Sequence, residues 1–157
     1  MTRYPPVRRR TVAEQAVNLR HCHPWLTVRL ERDRLVAEGR MRPVVGMREY
    51  AVRLSYRTRF FPRVEILAPT PKRRKPDEPV PHTNGADHVP CLFTPDGTDW
   101  RASMWLSDTI VPWTAEWLLF YEGWRATGLW LGGGTLPGRY ASPGDQPMPP
   151  EAHPAND

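Results

Sequence analysis

The run YAVRLSYR, residues 50–57, sets Tyr50, Val52, Leu54 and Tyr56 in strict alternation with Ala51, Arg53, Ser55 and Arg57. A two-residue period sends successive side chains to opposite faces of an extended chain. Residues 50–57 therefore read as a strand with one apolar and one polar face. The flanking segments repeat the pattern. Leu26, Val28 and Leu30 alternate with Thr27 and Arg29, and residues 35–41 form a second strand with Gly39 near its end. Val64-Glu65-Ile66-Leu67 forms another, stopped by Pro69. Short connections, one of them turning at Gly46, favour pairing between sequential neighbours. The expectation is an α+β domain built on a meander of about four antiparallel strands.

Helical signals lie on both sides of the meander. Thr11 and Glu14 have the spacing of a capping box. A short amphipathic helix should follow, with Val12, Ala16 and Leu19 on one face. It ends before His23-Pro24, because the residue preceding proline avoids helical angles. From Trp100 onward the period changes. Trp113, Trp117, Tyr121 and Trp124 recur at intervals of four, four and three, which is one stripe of a helix over about 114–127. Pro112 suits its start and Gly128 its end. A shorter helix over 103–110 is expected before it. Six of the seven tryptophans fall between 100 and 130. They read as helix-on-sheet core, not as a cofactor cage, and no cofactor is expected.

The 157 residues suit one domain. The expected organisation is a flexible basic arm at 1–10, the domain at 11–135, and a disordered Pro-rich tail at 136–157. No segment has the roughly 18 apolar residues of a membrane span. The basic start lacks the apolar stretch of a signal peptide, so the cytoplasm is the default, with Cys22 and Cys91 as free thiols. Net charge is +5, concentrated in Arg8-Arg9-Arg10 and Lys72-Arg73-Arg74-Lys75. Without zinc-finger spacing or an aromatic-basic repeat, these runs read as solvated loops, not as a nucleic-acid surface. Gly132-Gly133-Gly134 has neither the strand-to-helix context nor the lysine of a phosphate loop. His21-Cys22-His23 offers three ligand types, but adjacent residues at a helix end cannot all face one ion, and no metal is expected.

Residues 69–90 form a long, charged, Pro-rich connection, a length that is uncommon unless functional or disordered. Cys91-Leu92 emerges from it, preceded by Pro81-His82-Thr83-Asn84 and followed by Trp100 nine residues on. The strand pair from Tyr50 to Pro69 bends at Phe61-Pro62. In this order the residues resemble the ubiquitin-conjugating enzyme family, with Cys91-Leu92 at the active-site pair. His82-Thr83-Asn84 stands near that family's His-Pro-Asn motif, with Thr83 in place of the proline and Asn84 only seven residues before Cys91. The segments Thr109-Ile110-Val111-Pro112-Trp113, Glu116-Trp117-Leu118, Tyr121-Glu122-Gly123-Trp124, Thr127-Gly128 and Trp130 look like the C-terminal signature of the bacterial branch. Members of that branch are encoded in CBASS antiphage operons and related ubiquitin-like conjugation operons. The resemblance covers about residues 11–135. It implies a ubiquitin-conjugating-enzyme-like fold and an acyl transferase that carries a protein C-terminus as a thioester on Cys91. It also implies a separate activating enzyme, because this chain has no Gly-rich nucleotide-binding domain. The passenger would be a cyclic-nucleotide-forming nucleotidyltransferase or a ubiquitin-like protein. The same fold without usable catalysis would serve as a non-covalent adaptor.

The chemistry names few side chains. Thioester exchange needs a thiolate, and His88 and His82 are candidates to assist Cys91 by position or charge. Transfer passes through an oxyanion that needs a donor about 3 Å away; Asn84 or backbone N–H groups near Cys91 are the candidates. The incoming amine must lose a proton, which Asp96 or Asp99 would orient or accept.

Overall fold

The computed structural model of the protein describes residues 7–133. Of the basic arm, residues 1–6 lie outside the described residues, as does the Pro-rich tail at 136–157. The described elements are α1 (Val12–Cys22), β1 (Thr27–Glu31), β2 (Arg34–Met41), β3 (Tyr50–Arg57), β4 (Arg63–Ala68) and α2 (Ile110–Thr127). The expected α+β architecture is present. The four strands form one antiparallel sheet in the order β1-β2-β3-β4. No helix among the described residues is long and apolar enough to cross a membrane.

Register explains why only one sheet face is apolar. Leu35 pairs with Tyr56, Ala37 with both Val28 and Leu54, Val64 with Leu54, and Ile66 with Val52. Cross-strand partners share a face, and all of these residues are buried. On the opposite face, Glu38 accepts from Arg53 Nε at 2.6 Å and from Arg29 Nη1 at 3.1 Å. These hydrogen bonds, Arg53's above all, hold the Glu38 carboxyl below its ordinary range.

Both helices cover the apolar face. Thr11 and Glu14 form the capping box: Thr11 Oγ1 accepts from Glu14 N at 3.1 Å, and Glu14 Oε2 accepts from Thr11 N at 2.8 Å. Ala16 and Leu19 are fully buried. The described part of the arm docks: the Arg10 guanidinium lies 4.0 Å above the Trp105 ring, and Arg10 N–H donates to Ala102 O at 2.8 Å.

Two boundaries differ from expectation. α2 begins at Ile110, four residues before Thr114, with Pro112 in its first turn. The first turn's N–H groups have no intrahelical acceptor, so proline is tolerated there. The helix expected over 103–110 is a series of turns, leaving α2 as the one C-terminal helix among the described residues. The reason is tertiary capture of the backbone. Gln15 of α1, fully buried, donates to Met104 O at 2.8 Å and accepts from Leu106 N at 3.0 Å. Ser107 Oγ meanwhile bonds Asn18 Oδ1 at 2.5 Å. Groups that would close a helix are already spoken for.

Between β4 and α2 the chain runs some forty residues without helix or strand. Trp100 anchors it. Fully buried, its ring meets Tyr56 at 5.5 Å, Phe93 at 6.3 Å and Phe61 at 6.5 Å. Phe61 and Phe93 are buried as well, so the tryptophans do supply core, though not uniformly. Trp100, Trp117 and Trp124 are buried, whereas Trp25 is 40% exposed.

Candidate active site

Residues 82–91 fold back on themselves. Asn84 N–H donates to Val89 O and Cys91 N–H to His82 O, both at 2.8 Å, with an antiparallel bridge between Thr83 and Pro90. Gly85 turns the hairpin with φ 74°, a left-handed angle that glycine takes without a Cβ clash. Asp87, in the turn, ties it to the preceding chain, accepting from Val80 N at 3.2 Å and from Arg73 Nε at 2.7 Å. One member of the basic run 72–75 is thereby engaged in an ion pair.

Two ties hold the hairpin to the rest of the fold. Ile66 N–H of β4 donates to His88 O at 2.8 Å. Trp117 Nε1 of α2 donates to His82 O, also at 2.8 Å. The His82 carbonyl thus accepts from both Cys91 and Trp117, and His82 itself sits at φ 51°. A left-handed angle in a residue with a Cβ costs about 1 kcal/mol; the two hydrogen bonds it makes possible offset that.

Cys91 is a partly buried free thiol at the end of this hairpin. Its sulfur lies 3.5 Å from Phe93 O. Burial pushes the thiol above its ordinary range. A hydrogen bond from the Asn84 side chain and backbone contact at Phe93 oppose the shift, and the Asp99 carboxylate adds to it. Asn84 is only 3% exposed, with Nδ2 also 3.4 Å from Pro90 O. The structure therefore brings Asn84 against the Cys91 sulfur although Thr83 occupies the proline position.

The other sequence candidates are distributed differently. The His82 ring stacks on Trp130 at 4.9 Å and 25°, and burial lowers its pKa, which keeps it neutral near pH 7. His88 faces the outer side of the sheet, with Nε2 3.8 Å from Glu65 Oε1. Asp96 closes its own turn by accepting from Thr98 N at 2.8 Å and Thr98 Oγ1 at 2.6 Å, bonds that lower its pKa. Of the two aspartates near Cys91 in sequence, Asp99 is the one whose charge reaches the thiol, while its Oδ2 accepts from Thr94 N at 2.8 Å. In the His21-Cys22-His23 cluster, the His23 ring bonds Ser107 O at 2.9 Å and Asn18 Nδ2 lies 3.6 Å from the Cys22 sulfur.

Cys91 and Leu92 form the floor of an open groove of about 160 Å³. α2 supplies one wall with Trp113, Glu116, Trp117 and Phe120. Their positions follow an i, i+3, i+4, i+7 pattern, one stripe of the helix. The chain leaving α2 supplies the other wall. Gly128 ends the helix at φ 83°, and Trp130 then turns inward over His82 while Leu129 and Leu131 point out. A Cβ at Gly132 would lie 2.6 Å from Phe120 and 2.7 Å from Trp130 Nε1, so glycine is what lets this strap close on the helix. Sequence reasoning took the tryptophans as core and gave Glu116 no role. The helical stripe was the available signal.

The arrangement presents a reachable sulfur, an amide N–H donor beside it, and a wall that exposes one carboxylate. Such a site is suited to holding an acyl group on sulfur and admitting a nucleophile from the open side. The model of a family described as the type II CBASS E2 protein, E2-CBASS, matches residues 15–137 of this chain. No curated protein matches it.

Proposed function

Since the chain belongs to the family of type II CBASS E2 proteins, we propose that it is a thioester-forming conjugating enzyme of bacterial antiviral defence, acting in the cytoplasm. Cys91 accepts a protein C-terminus activated by a separate enzyme and passes it to an amine. The passenger is a cyclic-nucleotide-forming nucleotidyltransferase or a ubiquitin-like protein. The observation that carries this reading is the accessible Cys91 thiol on the floor of a groove, with the buried Asn84 amide against its sulfur. Asn84 would steady the sulfur and, as the acyl group adds a nucleophile, donate to the developing oxyanion.

The test is intact mass after co-expression with the genes that neighbour it. The native chain should carry an adduct that hydroxylamine removes. Cys91→Ser should carry the same passenger as an oxygen ester that withstands hydroxylamine. If activating enzyme and passenger are present and the native thiol stays bare, the proposal fails.

One observation favours a second reading. Burial leaves the resting thiol protonated near neutrality, which suits a non-covalent adaptor better than a nucleophile. An adaptor would keep full biological activity as Cys91→Ala, whereas a carrier would lose it.

A further inference from the structure

The wall facing Cys91 contains one acidic residue, Glu116, whose side chain is exposed to the groove. Among the described residues nothing hydrogen-bonds or ion-pairs with it. Several other carboxylates are engaged, Glu31, Glu38, Glu65 and Asp87 all pairing with arginines, although Glu78 Oε2 is also without a partner. Among the described residues no lysine or arginine lines the groove, even though the chain as a whole carries +5. Indole and phenyl rings of Trp113, Trp117, Phe120 and Trp130 complete the walls. Asp99 places a negative field at the sulfur. A carboxylate without a partner among aromatic faces is a receptor for a cation, through ion pairing and cation–π attraction together.

We infer that Glu116 selects and positions the acceptor, and that the acceptor is a primary ammonium group such as a lysine side chain. The inference rests on Cys91 being the acyl carrier proposed above. The ammonium docks against Glu116 and gives it one proton. The freed amine nitrogen attacks the thioester carbonyl carbon. As the C–N bond forms, the C–S bond breaks, and the nitrogen's second proton goes to the departing sulfur. The products are an amide, the Cys91 thiol and protonated Glu116. Hydroxyl and thiol acceptors bring no positive charge and gain nothing from this wall.

The experiment starts from charged protein prepared by co-expression with the operon neighbours. Discharge of wild type and Glu116→Gln is followed in single turnover into free L-lysine and into dithiothreitol. Glu116 is exposed, so the variant keeps its packing. It should charge to the wild-type level and discharge into dithiothreitol at the wild-type rate. Discharge into lysine near pH 7 should slow by about tenfold or more. That deficit should narrow as pH approaches the amine's own pKa near 10.4, where unprotonated lysine is supplied by solution. Equal lysine rates in the two proteins would overturn the role of Glu116 while leaving the carrier reading intact. Equal slowing into both acceptors, or a defect in charging, would overturn it as well, since either assigns Glu116 to the passenger or to the fold. An uncharged wild type would overturn the carrier reading and this inference with it.

Discussion

Two opposed influences meet at the Cys91 sulfur. Burial disfavours the thiolate, and the Asn84 amide favours it. The sign follows: the alkylation rate of Cys91 rises with pH through an inflection above that of an ordinary thiol. In Asn84→Ala the opposing hydrogen bond is gone, so the inflection moves further up. One neutral hydrogen bond is worth about 1 kcal/mol, so alkylation by iodoacetamide at pH 7 should slow about fivefold. Peptide mass mapping checks this, with exposed Cys22 as an internal control. An unchanged rate would mean that Asn84 supports the Pro90 carbonyl and nothing more. At this scale the motif marked Cys91, His82 and Asn84 as candidates, and the structure brings these three into one hairpin. His88 and Asp96 lie close to Cys91 in sequence, but their side chains bond elsewhere. His88 lies in the turn of the hairpin, where its ring reaches Glu65, and Asp96 closes a turn with Thr98 two residues on.

Elements whose signals are local matched their expectation. The meander was readable because each strand carries its own alternation, and α1 because Thr11 and Glu14 cap it. The region that escaped, 103–109, is shaped by a residue about ninety positions away. Gln15 has no sequence signature as a clamp, since a glutamine on a short helix usually faces water. Its burial predicts a large effect. Gln15→Leu keeps the volume but strands the Met104 carbonyl and the Leu106 amide in the core. Each unpaired buried group costs about 1–3 kcal/mol, so urea unfolding followed by tryptophan fluorescence should show a loss of about 2–4 kcal/mol. A loss under about 0.5 kcal/mol, the usual scale of a neutral surface change, would show that the turns hold without α1.

In the molecule as a whole, sheet and C-terminal helix converge on the hairpin 82–91, the sheet at the His88 carbonyl and the helix at the His82 carbonyl. Cys91 N–H reaches it from within the hairpin and Trp117 Nε1 from α2, while Ile66 holds the same hairpin from β4. The sequence announces a tryptophan stripe on α2. It cannot announce that one indole N–H points at a carbonyl thirty-five residues earlier, because hydrogen bonds of that span depend on the packed arrangement. Trp117→Phe separates packing from tethering. The phenyl ring retains most of the apolar contact, including stacking on Tyr121, where the rings lie 5.5 Å apart and 3° from parallel. The lost hydrogen bond and reduced area should together cost about 1–2 kcal/mol of stability. The more specific consequence is local. With one of its two donors gone, the His82 carbonyl holds the hairpin less firmly, and amide exchange should quicken across 82–91, Cys91 included. The amides of β2 and β3, which depend on the sheet, should keep their protection. Acceleration spread evenly over sheet and hairpin would mean that the tether contributes only to global stability. Acceleration confined to the hairpin would establish that α2 sets the position of the cysteine it faces.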